Sequence, residues 1–600
     1  MGMERNTGPT AFSTFRGLNT KLSEISIRSR EASELQNVIL QRETIDVRYG
    51  CDVFSTTQMI EGGVAQPATG IFQAVLGGTT YQVVTSGTKI YSMSALGVLT
   101  DITGAVTITA SQNNLFSFVK FKDGSGNDII IGSNGVDAPW KWTGSGNAAA
   151  LGGTPPANFK YIVVRKNRLY GSSGEFVYHS DLLNGESWDS LNWVAKFSSQ
   201  GIYTNDVTGI IKYGDNLGVF KEDAIFQFSG ESFVDGYIDD TVTGDGCISG
   251  LSIVEIPSRR YGNILVFVNR NGEIKGFNGT KNLINISDLI DNTLQGYVQS
   301  RFKYNSAVNY RKNNHYLCSY SSSGTTHNKL VAHDYFLDDE TGESTMLVHS
   351  GINANYLRMM DSAGQETLFS ATYDGWILKH GTNTKDIASA VQIDSSPTGA
   401  TRTTNIVTIT TLLAHGYSVG DSVTVSVTTI ATGSGSFDGT FTIASVPSST
   451  TFTYAQTASN ATGGGGIVKE QVNIDAYWAS KKNNFGNAAI QKVLNDFNIV
   501  TTSSGSGAIK VTVTTDSGQG TQAKTIAPSG SIYGVPLYGT VTYGGGGARY
   551  TRYELDTGTT NGLHGRYFKV RFDNVSGFRF SLEEYIMGIT NAGYQAEYIV

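Results

Sequence analysis

The sequence predicts an all-β protein built around a β-propeller of about seven blades, six to eight being compatible with the repeat, with additional small β-sandwich or barrel domains. Three observations lead there. The first is composition: 71 of 600 residues are glycine and only 10 are proline, while Tyr and Phe number 30 and 28. Aromatic and β-branched side chains suit a pleated, half-buried surface, and glycine reaches the positive φ of tight turns without steric cost. The second is that short apolar runs alternate with Gly/Asn/Asp turns through residues 70–381. Asn271-Gly272, between Ile264–Val268 and Ile274–Phe277, is the clearest of these turns; Asn-Gly between two β runs is the strongest short-range hairpin signal. The third is that the runs recur with a period of ~40 to 50 residues, the length of a four-stranded blade. One blade cannot bury both of its faces, whereas blades packed around an axis can, leaving only short edges.

Taken in order, residues 1–68 form an N-terminal arm and the first strands. Within it Ser29–Leu40 suits a short helix or an extended arm, and Arg48-Tyr49-Gly50 a strand end and turn. The propeller spans 69–397. Its units are Tyr81–Leu99, Phe116–Gly144, Phe159–Ser187, Thr208–Gly230, Leu251–Gly279, Ser306–His349 and Leu357–Gly381. Residues 398–466 break the rhythm: Thr401–Thr411 and Ser422–Thr429 alternate threonine with apolar residues, the surface-strand pattern of a small inserted β-domain. Gly463–Gly466 ends it as a flexible joint. Residues 467–600 return to strands, a C-terminal β-domain whose first strands are available to complete the propeller.

Charged residues make up 16% of the chain and the net charge is -7. That argues against a protein that wraps nucleic acid, which needs a basic surface to release counterions, but not against a channel through which DNA slides. Cys51, Cys247 and Cys318 lie far apart without CxxC spacing and read as buried thiols. No apolar run approaches the ~20 residues of a membrane span, and Met1–Arg30 has no apolar leader segment, which points to assembly in a cytoplasm.

No GxSxG, HExxH, P-loop or dinucleotide fingerprint occurs, so the chain reads as a non-enzyme without cofactor or metal. His327 and His333, six apart, would share one strand face with Asp334 beside the second, a possible metal pair. Two histidines beside a turn are the commoner case. The acidic turns Asp239-Asp240 and Asp338-Asp339-Glu340 with Glu343 lack the spacing of a calcium loop. A glycosidase needs two carboxylates about 5 to 10 Å apart across a pocket, which spacing in sequence does not supply. Arg165-Lys166-Asn167-Arg168 and Arg301, Lys303, Arg311 and Lys312 are small basic clusters, able to meet phosphate or an acidic subunit but more simply solvated turn charges.

Several segments resemble one family. They are Phe15-Arg16-Gly17-Leu18-Asn19-Thr20, Glu34-Leu35-Gln36-Asn37-Val38, Arg48-Tyr49-Gly50, Trp140–Gly144, Arg165–Tyr170 with Val177–Ser180, Asp206–Ile210 leading into Asp215–Lys221, and Ile264–Phe267 before Gly272-Glu273-Ile274 and Phe277-Asn278-Gly279. In this order and spacing, over roughly residues 12–380, the chain is similar to the tail nozzle and tail hub proteins of podoviruses, the short-tailed bacteriophages. Arg16 stands where the family has a second glycine. His415–Asp421, Gly439–Ile443 and Thr450–Tyr454 resemble a small β-module scattered through phage structural proteins, a peripheral decoration where fibres attach.

The resemblance implies a structural virion protein, made and assembled in the host bacterial cytoplasm. It implies a hexameric propeller ring at the distal end of the tail, below an adaptor ring under the portal. That ring would form the DNA exit channel and hold the genome until ejection. The implied partners are further copies of the chain, the adaptor, tail fibres, and double-stranded DNA passing without sequence-specific binding. DNA carries one charge per ~1.7 Å of axis, so an acidic or neutral lining keeps it moving. The candidate lining residues are Asp239, Asp240, Asp338, Asp339, Glu340 and Glu343. Two other functions compete: a receptor-binding fibre or baseplate protein, for which no coiled-coil, collagen-like or β-helical shaft is visible, and a propeller glycan hydrolase.

Overall fold

The computed structural model describes residues 9–41, 43–188, 193–198, 205–337, 344–502, 507–526, 549–553, 563–575 and 579–591. Six four-stranded antiparallel sheets follow one another along the chain, each with its strands in sequence order: 68–101, 117–150, 162–196, 209–243, 254–285 and 307–350. A seventh takes three strands from 354–383, and its fourth, outermost strand is Gly50–Val53. The first strands of successive sheets lie side by side, and the seventh returns to the first, which makes a seven-bladed β-propeller.

The strand that completes the ring therefore comes from the N-terminal arm, not from the C-terminal domain. Val53 pairs with Leu378, Asp52 with Lys379 and Cys51 with His380. Two features suit this segment to the task. Gly50 passes so close to the carbonyl of Lys385 that a Cβ there would sit 1.9 Å from its oxygen. Cys51 is fully buried among Trp376, Leu378, Ala390 and Ile467. Burial pushes its thiol up to about 12. Cys247 and Cys318 are likewise buried and unbridged.

After the seventh blade, residues 385–473 form a sandwich. One sheet has four strands (385–392, 467–473, 422–426, 439–442) and the other six (429–433, 461–464, 400–403, 406–410, 451–455, 445–448). Its own core contains Val407, Ile409, Val423, Val425, Phe452 and Tyr454. The module reaches beyond the 398–466 marked by composition, because Val391, Ile393 and Val468 point into the same core.

Both ends of the chain build a third β-unit. A five-stranded sheet joins Glu34–Gln36 to Tyr477–Ala479, Phe568–Asn574, Gly507–Thr515 and Gln519–Ile526. A seven-stranded sheet joins Val38–Gln41 and Thr44–Val47 to Ser581–Asn591, Lys492–Thr502 and Arg549–Tyr553, with Pro9–Ser13 and Leu563–Gly565 alongside. Of the helix and the extended arm expected for Ser29–Leu40, the structure has the extended form, with turns leading into the strands Glu34–Gln36 and Val38–Gln41. Asn37, at φ 56°, breaks any helical run there, and the consecutive burial of Val38, Ile39 and Leu40 suits a strand covered on both faces. The core of this unit, with Leu35, Trp478, Phe497, Val511 and Phe572, is continuous with that of blades five and six.

No helix among the described residues is long and apolar enough to cross a membrane.

Candidate functional site

The first strands of blades two to seven line an axial cavity of about 500 Å³. Its wall mixes apolar side chains, among them Phe118, Val163, Ile211, Val254, Val308 and Met359, with polar ones such as Ser117 and Asn309. Segments just before the blades cross one end. The short turn Gly250–Ser252 sets Leu251 against the apolar clusters of both neighbouring halves of the ring, and the Gly250 N–H donates to the Tyr161 hydroxyl (3.3 Å). Arg301, ahead of blade six, reaches Asn113, ahead of blade two (2.6 Å), while stacking on Tyr304. Asn355 donates to the carbonyls of Ala68 (2.9 Å) and Gln112 (3.2 Å). Glu255, Arg311 and Glu366 contribute exposed charge to the lining, and half-buried Arg358 lies over Phe72.

A second feature is the junction where the three β-units meet. Arg48 and Asp386 form a buried ion pair through both guanidinium nitrogens. Arg48 also donates to Asn37 Oδ1 (2.9 Å), the Tyr49 carbonyl (3.0 Å) and the Ser350 carbonyl (2.8 Å). Asn37 in turn donates to the Asp475 carbonyl (2.8 Å) and accepts from the Ser350 N–H (2.8 Å). The guanidinium thus ties the N-terminal arm, blade six and the first strand of the 385–473 sandwich together, and the Asn37 amide extends the link to the start of the C-terminal unit.

Beside it lies a cavity of about 40 Å³ lined by His315, His349, His380 and Arg48. Burial, then the Arg48 charge, holds His380 down to about 3, and it shares a hydrogen with Ser370 Oγ (2.7 Å). Burial, followed by Arg48 and His315, keeps His349 well below the usual histidine range. The arrangement holds neutral imidazoles against a buried cation, which is architecture rather than acid–base chemistry at neutral pH.

Asp239 and Asp240 are not in a turn. They lie in the fourth and outermost strand of blade four (Tyr237–Thr243), opposite Gln227 and Phe226, beyond a register shift between Ile225 and Phe226. Asp239 is half-buried and Asp240 exposed, and neither lines the axial cavity. Asp338, Asp339, Glu340 and Glu343 lie outside the described residues. His327 and His333 do not share a strand: His333 is in Lys329–Asp334, which begins after His327. His327 pairs with the Tyr373 hydroxyl (2.7 Å), and burial holds it down to about 3. No cluster of three or more His, Cys, Asp or Glu among the described residues could hold a metal.

Two of the basic residues turn out to be internal. Arg165 is buried and donates to the carbonyls of Asp215 (2.7 Å) and Gly230 (2.8 Å), linking blade three to blade four. Arg301 is buried in the crossing just described. The junction at Arg48 left no readable signal in the sequence, because Asp386 lies far away along the chain.

No family model and no curated protein matches this chain. Among solved structures it is similar to the extracellular domain described as that of a hybrid two component system, BT4673, from B. thetaiotaomicron, at 11% identity and TM-score 0.38 over 62% of this chain and 46% of that one. It is also similar to the computationally designed Ika8 protein (11% identity, TM-score 0.33, 61% of this chain and 99% of that). An ancestral GH74 enzyme is a third (10% identity, TM-score 0.34, 59% and 52%). The chain spans less than half the length of the first of these. At such scores none of them bears on function.

Proposed function

We propose that the chain is a structural, non-catalytic component of a short bacteriophage tail, the nozzle or hub ring that forms the distal DNA exit channel. The observation that carries this reading is the colinear resemblance to podovirus nozzle proteins over residues 12–380, from the N-terminal arm to the end of blade seven. In this reading the channel lies between copies of the chain, in the lumen of a ring, and the segments that cross one end of the propeller axis support that placement. A net charge of -7 per copy suits a lumen that repels the duplex rather than gripping it. The outer strand with Asp239 and Asp240 is available to line that lumen.

In this reading six copies associate through heterologous contacts that close on themselves, with interfaces on the order of 2,000 Å² or more. The ring meets an adaptor ring above and fibres at its side, is assembled in the host cytoplasm and ends in the virion. Negative-stain microscopy of the purified chain, with antibody labelling of virions, tests it. A sixfold ring and label at the tail tip are expected. A compact monomer, a threefold fibre, or label on the capsid would sink the proposal.

A further inference from the structure

Three cations converge where segments from far sides of the ring cross the axis. Arg301 and Lys303 belong to the short turn Gln299–Tyr304 ahead of blade six. Both rest against the Tyr304 ring, the Arg301 Cζ 4.6 Å and the Lys303 Nζ 5.1 Å from its centre. Lys160, ahead of blade three, lies 5.2 Å from the centre of the Tyr161 ring. Tyr161 first, with Tyr304 and Asp206 after it, holds the Lys160 ammonium above the usual lysine range, so the two segments meet at this point. Lys160 and Lys303 are exposed, whereas Arg301 is only 5% exposed. Among the described residues none of the three forms an ion pair; Asp206 acts on Lys160 without pairing with it.

The Arg301 guanidinium is the unsatisfied part of this cluster. Its Nη1 donates to Asn113 Oδ1 (2.6 Å), but Nε and Nη2 are buried without a hydrogen-bond partner. The Tyr373 hydroxyl, close enough for the Arg301 charge to act on it, is already engaged: it bonds His327 Nδ1 (2.7 Å) and accepts from the His327 N–H (3.1 Å). A guanidinium cannot be deprotonated in a protein, and burying its charge without a counter-charge is strongly unfavourable. Nε and Nη2 form one side of the planar fork, and their two N–H groups point the same way, at the spacing of two oxygens of one oxyanion. A single-atom anion does not match that pair. Three cations against the one carboxylate Asp206 leave an excess of positive charge, which suits a phosphate group, with about one and a half to two negative charges at neutral pH, better than a carboxylate. Because Arg301 lies so deep, the group that reaches it is small and free rather than part of a duplex.

We propose that this crossing is a binding site for a free phosphate-type oxyanion, held side-on by Arg301 Nε and Nη2, with Lys303 and Lys160 supplying the remaining charge. The inference stands on the propeller alone and does not depend on the nozzle reading.

Isothermal titration of the full chain with sodium phosphate, at ionic strength held constant with sodium chloride, tests it. One saturable site per chain is expected for phosphate, weaker binding for acetate, and none for chloride. Arg301→Lys keeps the charge and loses the fork, and should weaken phosphate binding at least about tenfold. K303Q and K160Q, at exposed positions, should each weaken it about two- to fivefold. K281Q, in the loop before the last strand of blade five, should leave it unchanged. If R301K loses its thermal transition, K303Q and K160Q carry the same comparison. No saturable binding of phosphate, or wild-type affinity in R301K, K303Q and K160Q alike, would overturn the proposal and leave an adventitious ion only. Acetate binding as tightly as phosphate would overturn it too. So would a DNA duplex with unphosphorylated ends that competes with phosphate and loses its binding in the same variants, which would make the cluster a contact for the nucleic-acid backbone.

Discussion

Arg48→Met is the sharpest test of how the three β-units are held together. The two side chains of the Arg48–Asp386 pair are 6% and 4% exposed. Removing the guanidinium deletes five hydrogen bonds and leaves the Asp386 carboxylate buried, with only the Cys51 thiol nearby (3.8 Å). Breaking a buried pair from one side costs about 3–5 kcal/mol, mostly as the penalty of the orphaned charge. Replacing both partners by apolar residues of similar size costs far less, so R48M/D386L should recover much of the loss. Lys469→Met, which removes the more exposed Lys469–Asp52 pair nearby, should cost below about 1 kcal/mol.

A chain of several units need not unfold in one step, so the readout should be local: amide exchange of Gly50–Val53 and Lys385–Gln392. With 1.4 kcal/mol per factor of ten, protection in R48M should drop by roughly two to three and a half orders of magnitude. A drop below tenfold, or a double variant as unprotected as R48M, would refute the reasoning.

Three further outcomes follow from the same coordinates. Gly50→Ala places a Cβ against the Lys385 carbonyl, so the closing strand should fail to dock, read as lost soluble yield or fast exchange across 377–383. His380 and His349 are neutral when folded and take up protons when unfolded; the stability from their burial is therefore complete above pH 6.5 and is lost as pH falls toward 3. For His380, held down to about 3, the decline is about 1.4 kcal/mol per pH unit over that window, and His380→Gln should flatten the curve by one proton in urea titrations between pH 7 and 4. Excising residues 394–466 removes most of a core separate from the propeller's, and calorimetry should show the main transition nearly unmoved; loss of soluble protein would show that the sandwich supports the ring.

The sequence by itself determined what is local. The seven repeat units, from Tyr81–Leu99 to Leu357–Gly381, each fall in one blade, because alternation and turn residues such as Asn271-Gly272 act within a single hairpin. The Thr/Val alternation of 401–411 likewise marked strands with one wet and one dry face. Only the tertiary structure decided which distant strands meet. That Gly50–Val53 closes blade seven, that residues 34–47 share sheets with 477–591, and that Arg48 meets Asp386 are pairings between segments hundreds of residues apart. Edge hydrogen bonds are made by the backbone, which is the same for every sequence, so a strand records that it needs a partner but not which one. Asp239 and Asp240 show the same limit: two adjacent carboxylates look alike in a turn and on an outer strand, and the neighbouring strand settled the difference.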